Sequence, residues 1–194
     1  MKDSYNIDAI QVVEVDKDGY CHTDIDSTVY EAPVVYILND SKHLYVGETI
    51  NVRNRFSNHN TNSIKKKLLN RHIIYSKYFN KSVILHLEAF LISHFSADSH
   101  FTMVNGNLGN NSHYYYKKKK YEEVFPKLWK ELQNLKLAHK SIEEIHNSDL
   151  FKYSPYKSLF LEQQRAVLST LRALANTDKK VIIDRLDVIV QVIK

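Results

Sequence analysis

Glu88 stands in the middle of the run SVILHLEAFLISHF, residues 82 to 95, among Val83, Ile84, Leu85, Leu87, Phe90, Leu91 and Ile92. An ionised carboxylate buried among such side chains is costly unless it is paired with a cation or coordinates one. Two chemistries meet that requirement. Glu88 forms a salt bridge to Arg53, Arg55 or a lysine, or it is the single protein carboxylate of a Mg²⁺ site, an ion that keeps most of its waters and takes one or two protein oxygens. Arg55 and His59 are four residues apart and share one face of a helix with Val52 and Phe56. On their own they describe a solvated basic face as readily as an anion site. Tyr36 and Tyr45, each in a short apolar run, are singly ordinary strand tyrosines.

The elements that must position these residues follow from periodicity. IQVVEV, residues 10 to 15, reads as a strand closed by the turn DKDG. VVYIL and HLYVG read as two strands joined around NDSK, residues 39 to 42. From Thr49, which can cap, the pattern turns helical, with Val52 and Phe56 as an i,i+4 apolar pair. A short basic helix is expected over residues 63 to 70, and HIIYSKYF as a third strand. The segment holding Glu88 is apolar on nearly every side, as in a buried helix. MVNGNLGNN is a turn-rich loop, and residues 121 to 137 form an amphipathic helix with Pro126 expected in its first turn. Periodicity fades near residues 146 to 158, which reads as a linker. A helix over residues 159 to 176 follows, and then VIIDRLDVIVQVI, which fits both a helix and a strand.

Composition bounds the class. The chain has 194 residues, 43% hydrophobic and 25% charged, an ordinary globular balance with room for one domain and an appendage. A formal net charge of +5 favours an anionic partner. Cys21 is the one cysteine, which excludes disulfide frameworks and cysteine zinc sites. The start of the chain has no apolar leader and no run approaches a membrane span, so a soluble, cytoplasmic protein is expected. None of the ten histidines shows paired zinc-ligand spacing, and His94 and His100 read as surface or loop residues. DKD at residues 16 to 18 lacks the other positions of a calcium loop and is a turn.

In order and spacing together, these residues resemble the GIY-YIG endonuclease family. Val34-Val35-Tyr36 stands for its first triplet and Tyr45-Val46-Gly47 for its second; the T-x-N-V-x-x-R-F-x-x-H run from Thr49 to His59 follows. The resemblance matches the family arginine to Arg55, its helix histidine to His59, its metal-binding glutamate to Glu88 and its asparagine to Asn105 or Asn107. It covers roughly residues 30 to 110. One departure is Val34 where the family has glycine, a position of backbone fit. The resemblance implies hydrolysis of phosphodiester bonds with one Mg²⁺ or Mn²⁺ held by Glu88. In that scheme Tyr36 is general base if neighbouring cations lower its pKa from about 10, and Arg55 neutralises the phosphate. Tyr45 orients water or phosphate, and His59 contacts phosphate or relays a proton.

The wider chain is similar to bacterial proteins that fuse this nuclease to a helicase-like ATPase, with Glu162-Gln163 in the helix that precedes the phosphate-binding loop. No glycine occurs from Asn110 to Lys194, so no such loop can form and ATP hydrolysis is not expected. The chain then reads as a nuclease module followed by the opening of a missing motor, whether stand-alone, truncated or a fragment.

The expected architecture is α+β: a small three-stranded antiparallel sheet flanked by helices, with extra C-terminal helices. Residues 1–29 form an N-terminal strand and turn extension, residues 30–145 the nuclease domain and residues 146–194 a linker and helical segment. The expected partner is DNA, with RNA left open, reached through Arg53, Lys65, Lys66, Asn105, Asn107, Lys117 and Lys118; the aromatic–basic run YYYKKKK is of the kind that binds backbone or bases. Repair, recombination or defence against mobile DNA is the expected setting. The C-terminal segment is expected to self-associate or to dock on a larger helicase-type partner. The alternative is a non-catalytic nucleic-acid-binding or protein-interaction module on the same fold.

Overall fold

The structure, a computed structural model, describes residues 10–21, 27–106, 114–148 and 151. The chain divides into two compact units, Met1–Ile142 and Glu143–Lys194. The readings of residues 159 to 176 and of the final apolar segment lie outside the described residues, as does most of the linker.

The first unit is built on one sheet. Its strands are β1 (Gln11–Val15), β2 (Val34–Asn39), β3 (His43–Thr49), β4 (Asn70–Tyr75) and β5 (Thr102–Met103), and its helices are α1 (Val52–Thr61), α2 (Lys81–Asp98) and α3 (Lys118–Asn134). A further short helix, α4, spans Ile142–His146. The sheet runs β1-β4-β2-β3-β5, antiparallel except where β3 and β5 pair in parallel. The three antiparallel strands expected from the sequence are therefore the centre of a mixed five-stranded sheet. β1, read as part of an extension, takes the free edge of β4, with Gln11 opposite Tyr75. β5 is too short to carry a period, and it closes on β3 because Ser99 ends α2 in a left-handed conformation.

β2 is buried along its whole length, which explains its unbroken apolar run: both faces of the strand are covered. Val34, Tyr36 and Leu38 face the cluster of Val15, Val52, Phe56, Leu68 and Ile73. Val34 thus fills the core at the position where the resemblance expects a glycine. On the opposite face, α2 packs on β2 and β3. It buries Val83, Ile84, Leu91, Ile92 and Phe95, each worth roughly 1.5–3 kcal/mol on leaving water.

Local chemistry shifts several expected boundaries. Asn51 rather than Thr49 caps α1, accepting from Asn54 N–H at 3.0 Å, while the Thr49 hydroxyl braces the Asn51 backbone. The basic helix is only a 3-10 turn, Lys65–Lys67, because Asn70 already begins β4. Pro126 lies well inside α3 and not in its first turn, since the lysines from Lys118 onward start the helix earlier. His94 is no surface residue: it is 1% exposed, stacked on Phe90 at 4.0 Å with the Trp129 ring 5.7 Å away. The DKD segment is a turn, with Asp16 Oδ1 accepting the N–H groups of Asp18 and Tyr20 at 2.9 Å. Among the described residues no helix is long and apolar enough to cross a membrane.

Candidate active site

Strand register puts Tyr36 directly opposite Gly47. A β-carbon at Gly47 would lie 2.3 Å from Tyr36 Oη and 2.8 Å from Tyr45 Cε1. The glycine is required by this crossing, because only a bare backbone lets the Tyr36 phenol lie over β3. Tyr36 and Tyr45 have ring centroids 6.0 Å apart, and Phe56 of α1 meets Tyr36 edge-on at 5.4 Å.

α1 then delivers its polar residues to that phenol. Arg55 Nε donates to Tyr36 Oη at 2.9 Å, and His59 Nε2 lies 2.7 Å from the same oxygen. The sequence expectation that Arg55 and His59 share a face is met by a single phenol oxygen that both reach. Burial, opposed by Arg55 and reinforced by Tyr45, raises the Tyr36 pKa well above its ordinary value. The cations of the site therefore do not turn Tyr36 into a phenolate at neutral pH in this state. His59 is pushed down to about 3 by burial and then by Lys65, Arg55 and Arg71, so its imidazole is neutral near pH 7.

Glu88 is half-buried, and among the described residues it makes no ion pair. Burial, then the charge of Glu48, pushes its pKa up to about 7, against the pull of Lys81, Arg55 and Lys65. Among the described residues the first of the two chemistries open to it, a salt bridge, is not formed. Among the described residues no cluster of three or more His, Cys, Asp or Glu side chains is assembled for a metal. A half-buried carboxylate without a cationic partner, next to a second carboxylate, fits a hard ion that keeps most of its waters.

Glu48 is a residue the sequence reading passed over. It follows Tyr45-Val46-Gly47 directly, and strand alternation turns it to the α2 face, where it pairs with Lys81. That alternation was the available signal. Lys65 reads from the sequence as a nucleic-acid contact alone, yet its ammonium lies 3.7 Å from the centre of the Tyr45 ring and its charge acts on both His59 and Glu88. Lys66 is exposed on the same turn.

The other tentative contacts have varied placements. Arg53 lies over Tyr20 and Tyr30, at 5.0 and 4.8 Å, and two residues of helix turn it away from the side that carries Arg55. Asn105 uses its amide on backbone: Oδ1 accepts Val46 N–H at 3.0 Å and Nδ2 donates to Val46 C=O at 2.7 Å. It extends the β5 pairing along β3 and so holds the second triplet in place. Asn107 lies outside the described residues. Lys117 and Lys118 are at the start of α3, with Lys117 beside the exposed Tyr116 ring at 5.0 Å and Lys118 near Glu122 at 4.0 Å.

What the arrangement offers is a phenol and a neutral imidazole sharing one oxygen, a cationic rim of Arg55 and Lys65, and an uncompensated carboxylate. No curated protein and no solved structure matches the chain, so nothing there bears on the likeness to helicase fusions. Residues 32–102, which hold Tyr36, Tyr45, Arg55, His59 and Glu88, match the family model described as GIY-YIG catalytic domain, a family of endonucleases.

Proposed function

We propose that this chain is a DNA endonuclease that hydrolyses phosphodiester bonds with one divalent cation held by Glu88. The observation that carries the reading is the convergence of Arg55 and His59 on Tyr36 Oη. Arg55 accepts the scissile phosphate through its planar donor fork and, in leaving Tyr36, opens the phenol oxygen to the attacking water. Tyr36 takes the water's proton while passing its own to His59 Nε2, so that no free phenolate has to form. The relay is poor in the resting state, where burial, and after it the charges of Lys65, Arg55 and Arg71, holds the imidazole pKa down. An anionic backbone beside Arg55 and Lys65 offsets those cations and makes His59 a better acceptor when substrate is present. Tyr45, under Lys65, orients the phosphate or water. Glu88 would hold Mg²⁺ or Mn²⁺, which would supply Lewis-acid stabilisation of the leaving 3′ oxygen.

The second reading, a module that binds nucleic acid without cutting it, draws on the burial of Tyr36, which is 0% exposed. One assay separates them: plasmid, single-stranded DNA and RNA are incubated with the chain and Mg²⁺ or Mn²⁺, with EDTA and Glu88→Ala as comparisons. Cation-dependent cutting by the wild type that Glu88→Ala loses supports the nuclease. Binding without cutting supports the module, and equal cutting by Glu88→Ala defeats the assigned role of Glu88.

A further inference from the structure

The turn between α1 and β4 carries two large aliphatic side chains in solvent, Ile64 at 60% and Leu69 at 77% exposure. Singly exposed aliphatics are common and need no explanation. These two bracket Lys65–Lys67, a 3-10 turn with no acid in it, and the residue between lysines and Leu69, Leu68, is anchored in the core at 1% exposure. The turn is built firmly. Asn62 Oδ1 accepts from the N–H groups of both Ile64 and Lys65 at 3.0 Å, and Lys67 and Leu68 return N–H bonds to Ile64 and Lys65 at 3.1 Å. It also adjoins the candidate site, because the Lys65 ammonium lies 3.7 Å from the Tyr45 ring centre.

We infer that residues 64–69 are an apolar wedge that enters a groove of duplex DNA beside the site and unstacks a base step, with Lys66 and Lys67 on the flanking phosphates. The inference rests on the reading of that site as one for nucleic acid. The chemistry fits on two counts. Aliphatic side chains such as Leu and Ile inserted between base pairs kink a duplex, and lysines on either side neutralise the backbone. A bent, opened step would also bring a scissile phosphate within reach of a phenol that the folded chain keeps buried. An anionic bilayer is the weaker match, since two aliphatic side chains supply less apolar burial than one acyl chain, itself a marginal anchor.

The test uses the full chain without divalent ion, so that cutting is not needed, and duplexes carrying 2-aminopurine at successive positions. The wild type is expected to raise 2-aminopurine fluorescence saturably. The double variant Ile64→Ser/Leu69→Ser is expected to lose that rise and to bind about tenfold more weakly, with the same salt dependence. Lys66→Gln/Lys67→Gln is expected to lower the slope of log affinity against log salt by about two. The inference is overturned if the wild type binds duplex with no rise, or if the serine variant keeps both the rise and the affinity. It is equally overturned if the wild type ignores duplex and binds phosphatidylserine vesicles or other proteins instead. A chain that opens the step yet never cuts DNA defeats the proposed function alone; one that cuts without opening it defeats the wedge alone.

Discussion

Tyr36 Oη and His59 Nε2 are 2.7 Å apart, a contact made between a central strand and the last turn of the helix that follows the hairpin. The helix places it there because Val52 and Phe56 bury against the same sheet face as Tyr36. Packing and polar geometry are thus one arrangement. A change that loosens α1 from the sheet also separates the phenol from the imidazole.

Glu88 gives a direct test of the proposed cation site by stability alone. Its folded pKa is raised to about 7 against an ordinary value near 4.5. Below about 4.5 the carboxyl is protonated in both folded and unfolded chains; between about 4.5 and about 7 the unfolded chain ionises while the native one holds its proton, so stability falls with rising pH and levels off above the folded value. Glu88→Gln is therefore expected to melt higher than the wild type at pH 8 and together with it at pH 4. Added Mg²⁺ is expected to raise the wild-type melting temperature at pH 8 and to leave Glu88→Gln unmoved, by the usual linkage of binding to stability. Melting curves at the two pH values, with and without Mg²⁺, read out all of these.

Gly47→Ala is expected to be costly although the position has no positive φ. The new methyl overlaps the Tyr36 phenol at 2.3 Å, and that ring is fixed by Phe56, Arg55 and His59. Overpacking of this kind costs about 1–3 kcal/mol, measured as a lower urea midpoint. Cleavage is expected to fall further than stability does, because the ring that must move is the one proposed to act. An alanine variant as stable and as active as the wild type would contradict this packing.

Asn105→Ala removes both bonds to the Val46 backbone and leaves that peptide's N–H and C=O without their partner. Orphaned part-buried groups cost about 1–3 kcal/mol. Urea unfolding is expected to show that loss. Hydrogen exchange is expected to quicken at the Val46 amide while the β2–β4 pairing stays protected. Unchanged protection at Val46 would mean that the asparagine does not hold β3.

The hairpin, α1 and the buried α2 were legible because each carries a strong period or an abrupt change of period. Val52 with Phe56, and the unbroken VVYIL run, left little choice of face. The edges of the sheet were not legible. β1 shows its strand character but not its partner, and β5 is two residues long, so only the assembled sheet decides where they pair. Tyr36, Arg55, His59 and Glu88 could be picked out by type and order, while Glu48 and Lys65 act through charge across space, which spacing does not report. His94 misled because a histidine beside aromatic residues reads as polar in sequence, yet here it stacks as a core ring.

The phenol oxygen that Arg55 and His59 share is the atom on which the proposed chemistry turns. Its most direct test is the single-turnover rate of DNA cleavage by Tyr36→Phe at saturating Mg²⁺, beside the wild type and with folding checked by melting. Phenylalanine keeps the ring over Gly47 and the packing against Phe56 but deletes the one atom that both α1 residues reach. A loss of about 10²–10⁴-fold in rate with little change in stability is predicted. A well-folded Tyr36→Phe chain that cuts DNA within a few-fold of the wild-type rate would contradict it.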